Sequence, residues 1–293
     1  MKSTLTRIAP TPSGFLHLGN AFSFLLTKAI AMQNQSKILL RIDDLDRDRF
    51  RMEYLQDIFD TLDFLEISYD LGPKSPEDFL VNWTQLNRLD LYKNALERLW
   101  ESKSLFACTC SRRKISQLNS SGHYLGHCLD RNIPKTRKDT AWRINTSEAD
   151  LISKLDLNSK RNEFILPEDV AFFVVRKKDE LPAYQLTSLV DDIHFGIDLI
   201  VRGKDLHSSS LAQLFLAKEL GESSFEKTLF HHHPLLKSPN GQKLSKSDGA
   251  TSIQFLRKSG KSLSDIFLIL SKALNWEVPV NNFEDFQSKI LKK

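Results

Sequence analysis

Apolar residues along this chain switch between two spacings, and the switches predict its elements. Residues 4–9 form a short apolar run of strand length, closed by Pro10, Pro12, Ser13 and Gly14, which are turn formers. From about residue 19 to 34, Phe22, Leu25, Leu26, Ala29 and Ile30 fall on one helical face. Residues 37–42 return to a strand-like run. Strand, turn, helix and strand in that order make a βαβ unit, with the turn at the carboxyl edge of a parallel sheet, where such folds bind ligands. A second amphipathic helix is predicted over 51–65, with Leu55, Ile58, Phe59, Leu62 and Leu65 inward, and a third over 85–103.

The pattern then changes. Residues 104–180 are polar, hold all three cysteines, and contain separated strand-like runs at 141–144 and 170–175. This stretch reads as an insertion between two halves of one fold. Beyond it come a helix (181–192), a buried strand (197–202), a helix (208–220), a strand-like run (229–236) and helices near 252–258 and 262–274. The expected architecture is a doubly wound α/β domain in four parts. Residues 1–103 form its first half, 104–180 the insertion, 181–240 the second half, and 241–293 a loop with a small C-terminal helical segment.

Composition narrows the class. With 293 residues, 41% hydrophobic and 27% charged, the chain can bury a real core and is neither disordered nor fibrous. A formal charge of +4 permits a nucleic-acid partner without requiring one. The first residues lack the apolar segment of a signal peptide, and the run 22–32 is short and broken by Thr27 and Lys28. A cytoplasmic protein without membrane attachment is expected. Cys108, Cys110 and Cys128 are odd in number and clustered, a poor disulfide framework and a better metal candidate.

Two motifs carry chemistry. His17-Leu-Gly-Asn20 sits where a strand-to-helix turn meets a helix N-terminus, whose free N–H groups and dipole favour phosphate. There Gly14 and Gly19 permit close backbone approach and His17 can donate to phosphate oxygens. Lys243-Leu-Ser-Lys-Ser247 follows a Ser/Pro/Asn/Gly turn, and its two lysines can neutralise charge developing on ATP phosphates. The His231-His-His233 tract lies in a strand-like run; alternate residues face opposite ways, so the three cannot converge on one ion, and one is a candidate liner of the ATP pocket. The charge-dense stretch 43–51 reads as mostly a solvated turn, apart from Asp43.

Together these motifs resemble the two ATP signatures of class I aminoacyl-tRNA synthetases, in the form used by the glutamate branch. Further segments are similar to that branch in family order: Arg7-Ile-Ala-Pro-Thr11, Leu40-Arg-Ile-Asp-Asp-Leu-Asp-Arg47, Pro182-Ala-Tyr-Gln185 and Val201-Arg-Gly-Lys-Asp205. The resemblance covers nearly the whole chain. It implies a Rossmann-like catalytic domain that binds ATP with Mg²⁺ through His17, Gly19, Asn20, Lys243 and Lys246, with His17 and the two lysines catalytic. It implies a glutamate pocket of Arg7, Ala9, Thr11, Asp43, Tyr184 and Arg202. Arg7 and Arg202 would grip the side-chain carboxylate, as guanidinium groups do with two parallel bonds, Tyr184 would add a hydroxyl, and Asp43 would hold the ammonium. The family has glutamate where this chain has Asp43, which leaves that contact one methylene short or bridged by water.

Only some forty-odd residues follow the Lys-Leu-Ser-Lys-Ser loop, too few for the anticodon-reading region of the full-length branch. The chain is therefore similar to the short paralogues, which attach glutamate to the queuosine base in the anticodon loop of tRNA(Asp). Their zinc pattern is matched by Cys108, Cys110, Tyr124 and Cys128, with His123 and His127 as alternative fourth ligands, which implies one structural Zn²⁺ in the insertion. The implied partners are L-glutamate, ATP and queuosine-bearing tRNA(Asp), the protein itself acting as a monomer. Two rivals stand beside this: a short synthetase charging the tRNA 3′ end, and a non-catalytic tRNA-binding paralogue.

Overall fold

The computed structural model describes residues 3–236 and 252–292. In chain order the elements are β1 (Leu5–Ile8), α1 (Leu18–Asn34), β2 (Lys37–Leu40), α2 (Met52–Phe64), the short α3 (Pro76–Asp78), α4 (Leu89–Glu101), β3 (Leu105–Cys108), α5 (Arg112–Leu118), β4 (Ala141–Ile144), β5 (Ile152–Leu155), β6 (Arg161–Phe164), β7 (Val174–Arg176), α6 (Tyr184–His194), β8 (Leu199–Gly203), α7 (His207–Glu219), β9 (Leu229–His233), α8 (Ile253–Lys258), α9 (Leu263–Ala273) and α10 (Phe283–Leu291). Among the described residues no helix is long and apolar enough to cross a membrane.

The chain forms two compact units. The N-terminal unit comprises the chain up to Gln85, Leu199–Lys204 and everything from His231; the insertion-bearing unit comprises Leu86–Asp198 and Asp205–Phe230. In the N-terminal unit β1 pairs in parallel with β2 on one side and β8 on the other, so the expected βαβ unit forms and β1 lies at the point where strand order reverses. Helix α1 is apolar nearly all round, and Ala21, Phe22, Leu25 and Ala29 are fully enclosed. Its outer side is covered by the C-terminal helices: the ring of Phe286 lies 6.3 Å from Phe22, 5.5 Å from Phe267 and 5.8 Å from Trp276. Burying one such side chain contributes roughly 1.5–3 kcal/mol. Arg257 on α8 donates at 2.6 Å to buried Asp57 on α2, whose other carboxylate oxygen accepts from Leu16 N at 3.2 Å.

In the insertion-bearing unit β3, β4 and β7 make a three-stranded antiparallel sheet, and β5 pairs antiparallel with β6 and in parallel with the start of β9. The β5–β6 hairpin turns on Asp156, whose Oδ1 accepts from the N–H groups of Asn158 and Lys160. Two predicted elements differ from the sequence pattern. The 85–103 helix begins as a 3₁₀ turn over Gln85–Arg88, and α4 proper starts at Leu89. The 170–175 run is a strand only from Val174, because Phe172 adopts left-handed backbone (φ 47°) that interrupts extended structure.

Candidate active site and metal centre

The registers place the predicted pocket residues of the N-terminal unit at one sheet edge. Arg7 pairs with Leu39 and Thr6 with Leu199, so counting along the parallel ladders sets Ala9 level with Arg202 and with Arg41. Paired residues in parallel strands share a face and alternate along it, so Arg7, Ala9, Arg41 and Arg202 lie on the same face at the carboxyl ends. Two residues of strand rise and one strand spacing put the Cα atoms of Arg7 and Arg202 roughly 8 Å apart, within reach of one bound carboxylate. Asp43 follows on the same edge, its N–H bonded to Pro10 O at 3.0 Å. Arg7, Arg41, Asp43 and Arg202 are all buried, a density of enclosed charge that a purely structural sheet edge does not need.

Asp43 does not face this edge alone. Arg41 grips it with both prongs, Nε to Oδ1 at 2.8 Å and Nη2 to Oδ2 at 3.0 Å. A carboxylate oxygen keeps a second acceptor site after one such bond, so an ammonium would share Asp43 with Arg41. Thr11 is exposed in the turn after β1, its carbonyl accepting from Ser13 N at 2.8 Å. Tyr184 lies in the other unit, at the first turn of α6, and is 45% exposed.

His17 is the N-cap of α1. Its Nδ1 accepts from Asn20 N at 3.3 Å, while Asn20 Oδ1 accepts from His17 N at 3.0 Å, a reciprocal capping box. An accepting Nδ1 in neutral imidazole leaves the proton on Nε2, which makes that nitrogen a donor. The glycine of the motif has a local reason: a Cβ at Gly19 would stand 2.9 Å from His17 Cε1. Gly14 has open space around its would-be Cβ. Lys243 and Lys246 lie outside the described residues, but the chain resumes beside His17. Ser252 bridges His17 in antiparallel fashion and Ile253 N donates to Leu16 O at 2.7 Å. The described residues that follow the second motif in sequence thus start beside the first.

In the insertion-bearing unit the sulfurs of Cys108, Cys110 and Cys128 lie within 4.8 Å of one another, all buried. Cys110 and Cys128 are 3.6 Å apart, and Cys108 Sγ lies 3.4 Å from the Tyr124 hydroxyl. A tetrahedral zinc with Zn–S of about 2.3 Å and Zn–O of about 2.0 Å places sulfurs about 3.8 Å apart and sulfur and oxygen about 3.5 Å apart. The four side chains therefore fit such an ion. No histidine, aspartate or glutamate among the described residues joins the group, so the geometry favours Tyr124 over His123 and His127. The Tyr124 oxygen accepts from Cys128 N at 2.8 Å, which aims its lone pairs. Burial raises the Cys128 thiol, but hydrogen bonds from the Thr109 backbone, the Tyr124 hydroxyl and the other two thiols outweigh it and hold the group at about 6. Cys110 is pushed up to about 11 by burial and then by Cys128 and Cys108. Cys128 is thus the first of that pair to offer a thiolate.

Comparison with known proteins follows the same lines. The family model of class I tRNA synthetases (E and Q), catalytic domain, matches residues 3–272. The chain belongs to this family. It is 31% identical to the glutamyl-Q tRNA(Asp) synthetase of Rhodobacter capsulatus over 283 residues, covering 89% of this chain and 98% of that protein. The enzyme of that name from Symbiobacterium thermophilum is 33% identical, over 87% and 82% of the two chains. Glutamate–tRNA ligase 1 of Nitrosococcus oceani is 28% identical over 87% of this chain, which spans 53% of that ligase. A crystal structure of a glutamate tRNA ligase from Elizabethkingia meningosepticum shares the fold, with TM-score 0.69 and 23% identity over 85% of this chain and 53% of that one. Membership makes the chain a ligase whose expected substrates are ATP with Mg²⁺, glutamate and tRNA.

The stretch 43–51 is not a solvated turn throughout: Asp44 is almost fully enclosed and accepts from Thr84 Oγ1 at 2.7 Å, Gln85 N at 2.8 Å and Arg47 Nη1 at 2.7 Å. It locks the segment that carries Asp43. The signal was available only as two consecutive aspartates after a buried strand, and nothing local tells that both are enclosed. Of the histidine tract, His233 is the most enclosed, edge-on to Phe22 at 4.9 Å, and His231 is lowered to about 4 by burial and then by His233.

Proposed function

We propose that this chain activates glutamate with ATP and transfers it to the queuosine base in the anticodon loop of tRNA(Asp). The observation that carries the reading is the match to a glutamyl-Q tRNA(Asp) synthetase along 98% of that protein's length. In the first step an α-carboxylate oxygen of glutamate attacks the α-phosphorus of ATP, and pyrophosphate leaves with the bonding pair. His17 Nε2–H, Lys243 and Lys246 stabilise the negative charge that accumulates on the phosphate oxygens, and Mg²⁺ when bound adds Lewis-acid stabilisation to the same charge. Arg7 and Arg202 hold the side-chain carboxylate, with Ala9 and Thr11 shaping the first strand's end. Asp43, with Arg41 across it, receives the ammonium.

In the second step a hydroxyl of the queuosine cyclopentenediol bonds to the acyl carbon, the acyl–phosphate bond breaks, and AMP leaves as the hydroxyl proton is released. No protein nucleophile is required, so positioning and preorganised charge supply the catalysis. In the insertion, Cys108, Cys110, Tyr124 and Cys128 would hold one structural zinc, which would tie β3 to the loop before β4.

The test uses labelled glutamate. Transfer is expected onto queuosine-containing tRNA(Asp), and onto the same tRNA with its 3′-terminal CCA removed. It is not expected onto tRNA(Asp) with guanosine at that anticodon position. The 28% match to a glutamate–tRNA ligase supports the rival, 3′-end charging. Labelling of tRNA(Glu) that disappears on CCA removal establishes that rival instead. Metal analysis of reduced protein purified without chelator checks the zinc, with about one per chain expected.

A further inference from the structure

Arg143, on β4, is a buried cation with no anion beside it among the described residues. It is 8% exposed; Nη1 donates to Phe172 O at 2.8 Å, and Nε has no hydrogen-bond partner among the described residues. No carboxylate among the described residues lies within ion-pair distance of it, whereas Arg176, equally enclosed on the neighbouring strand, has Glu180 at 3.5 Å. A guanidinium withdrawn from water without a counter-charge is costly, and such groups persist where an anion is supplied. Its closest aromatic neighbour is Tyr124, whose ring centroid lies 3.9 Å from the guanidinium carbon.

A metal bound at the thiol cluster would supply the missing charge. Three thiolates and a phenolate around a divalent ion leave two negative charges uncompensated. They sit among Phe106, Ile115, Leu129, Ile133 and Phe172, apolar surroundings that screen charge weakly. We propose that Arg143 is the counter-charge of this centre, a positioning residue that stabilises the anionic metal-bound set through the face of Tyr124. Exposed Arg131, whose Nη1 lies 3.9 Å from Cys128 Sγ, supplies a second, solvent-screened charge. The inference rests on the Cys₃Tyr metal reading above and adds to it the residue that makes a doubly negative site tolerable inside the fold.

The experiment is a zinc titration of reduced, metal-stripped protein against a chromophoric chelator. It compares wild type, Arg143→Gln and Arg143→Lys, each with Tyr124 intact and as Tyr124→Phe. Arg143→Gln is expected to weaken zinc binding about 10–100-fold, the scale for losing an outer partner of a ligand. Arg143→Lys keeps the charge and should lose clearly less. In the Tyr124→Phe background the centre carries one negative charge fewer, so the glutamine substitution should cost less there. Equal losses for lysine and glutamine, or the same loss in both backgrounds, mark a purely structural arginine and overturn the inference. Arg131→Gln, exposed and harmless to folding, keeps the test decisive if Arg143→Gln fails to fold. It should weaken zinc binding at low salt and less so at high salt, and an affinity unchanged at low salt overturns the charge argument. Wild-type protein that takes up no zinc removes the metal reading itself. Wild-type zinc binding with Arg143→Gln unaffected removes only the inference.

Discussion

Helix α6, which begins at Tyr184, is anchored by a buried ion cluster whose strength can be measured. Asp191 is fully enclosed; it accepts from Arg88 Nε at 2.7 Å and Nη2 at 3.1 Å, and from the Tyr92 hydroxyl at 2.7 Å. Burial first, and then the negative charge of Asp191, push the Tyr92 phenol well above its ordinary range, so it stays a donor at all working pH values. Arg88→Met removes the guanidinium that grips this carboxylate with two bonds and keeps the Tyr92 bond. Stranding one partner of a buried pair costs about 3–5 kcal/mol, against a typical domain stability of about 5–15 kcal/mol. Tyr92→Phe removes one hydrogen bond to a charged group and should cost about 1.5–3 kcal/mol. Arg88→Met combined with Asp191→Leu removes both charges, and an apolar pair of similar volume is often neutral or better. The double variant should therefore be more stable than Arg88→Met alone. Urea unfolding followed by tryptophan fluorescence reads this, since Trp100 and Trp142 lie in the same unit. Arg88→Met costing under about 1 kcal/mol, or a double variant worse than either single change, would refute the reasoning.

Three further outcomes follow from the site. Lys246→Ala should slow glutamate-dependent ATP–pyrophosphate exchange about 10²–10³-fold with the fold intact, the scale for removing one preorganised donor; near-wild-type exchange removes the residue from the reaction. Glutamine in place of glutamate leaves a guanidinium poorly paired, about 1.5–3 kcal/mol, so exchange should favour glutamate roughly tenfold to a hundredfold, and equal rates would sink the two-arginine grip. His231 binds its proton less readily folded than unfolded, at about 4 against an ordinary 6.5, so its contribution is complete above about 6.5 and lost as pH falls toward 4. His231→Asn should flatten the decline of the urea midpoint over that window, and an unchanged decline would show that other groups carry it.

Much of the catalytic half was legible in sequence because its signals are local. The 3.6-residue spacing from Phe22 to Ile30 and the apolar runs around Leu5 and Leu39 fold as α1, β1 and β2, since each buries one continuous apolar surface. Elements whose stability comes from distant partners were not legible. Strands β5 and β6 carry Lys154, Arg161 and Glu163, which dilute any alternation, and α10 is a short helix held by one aromatic cluster against α1. The chemistry divides in the same way. Residue types and spacing were enough to single out His17 and the cysteines as candidates, and the family resemblance added Arg7 and Arg202. Only tertiary structure decided that His17 offers Nε2, that Arg41 shares Asp43, that Asp44 turns inward to Thr84 and Gln85, and that Arg143 faces Tyr124. Those are relations between side chains brought together by sheet register and packing, and sequence spacing carries no information about which enclosed charge meets which.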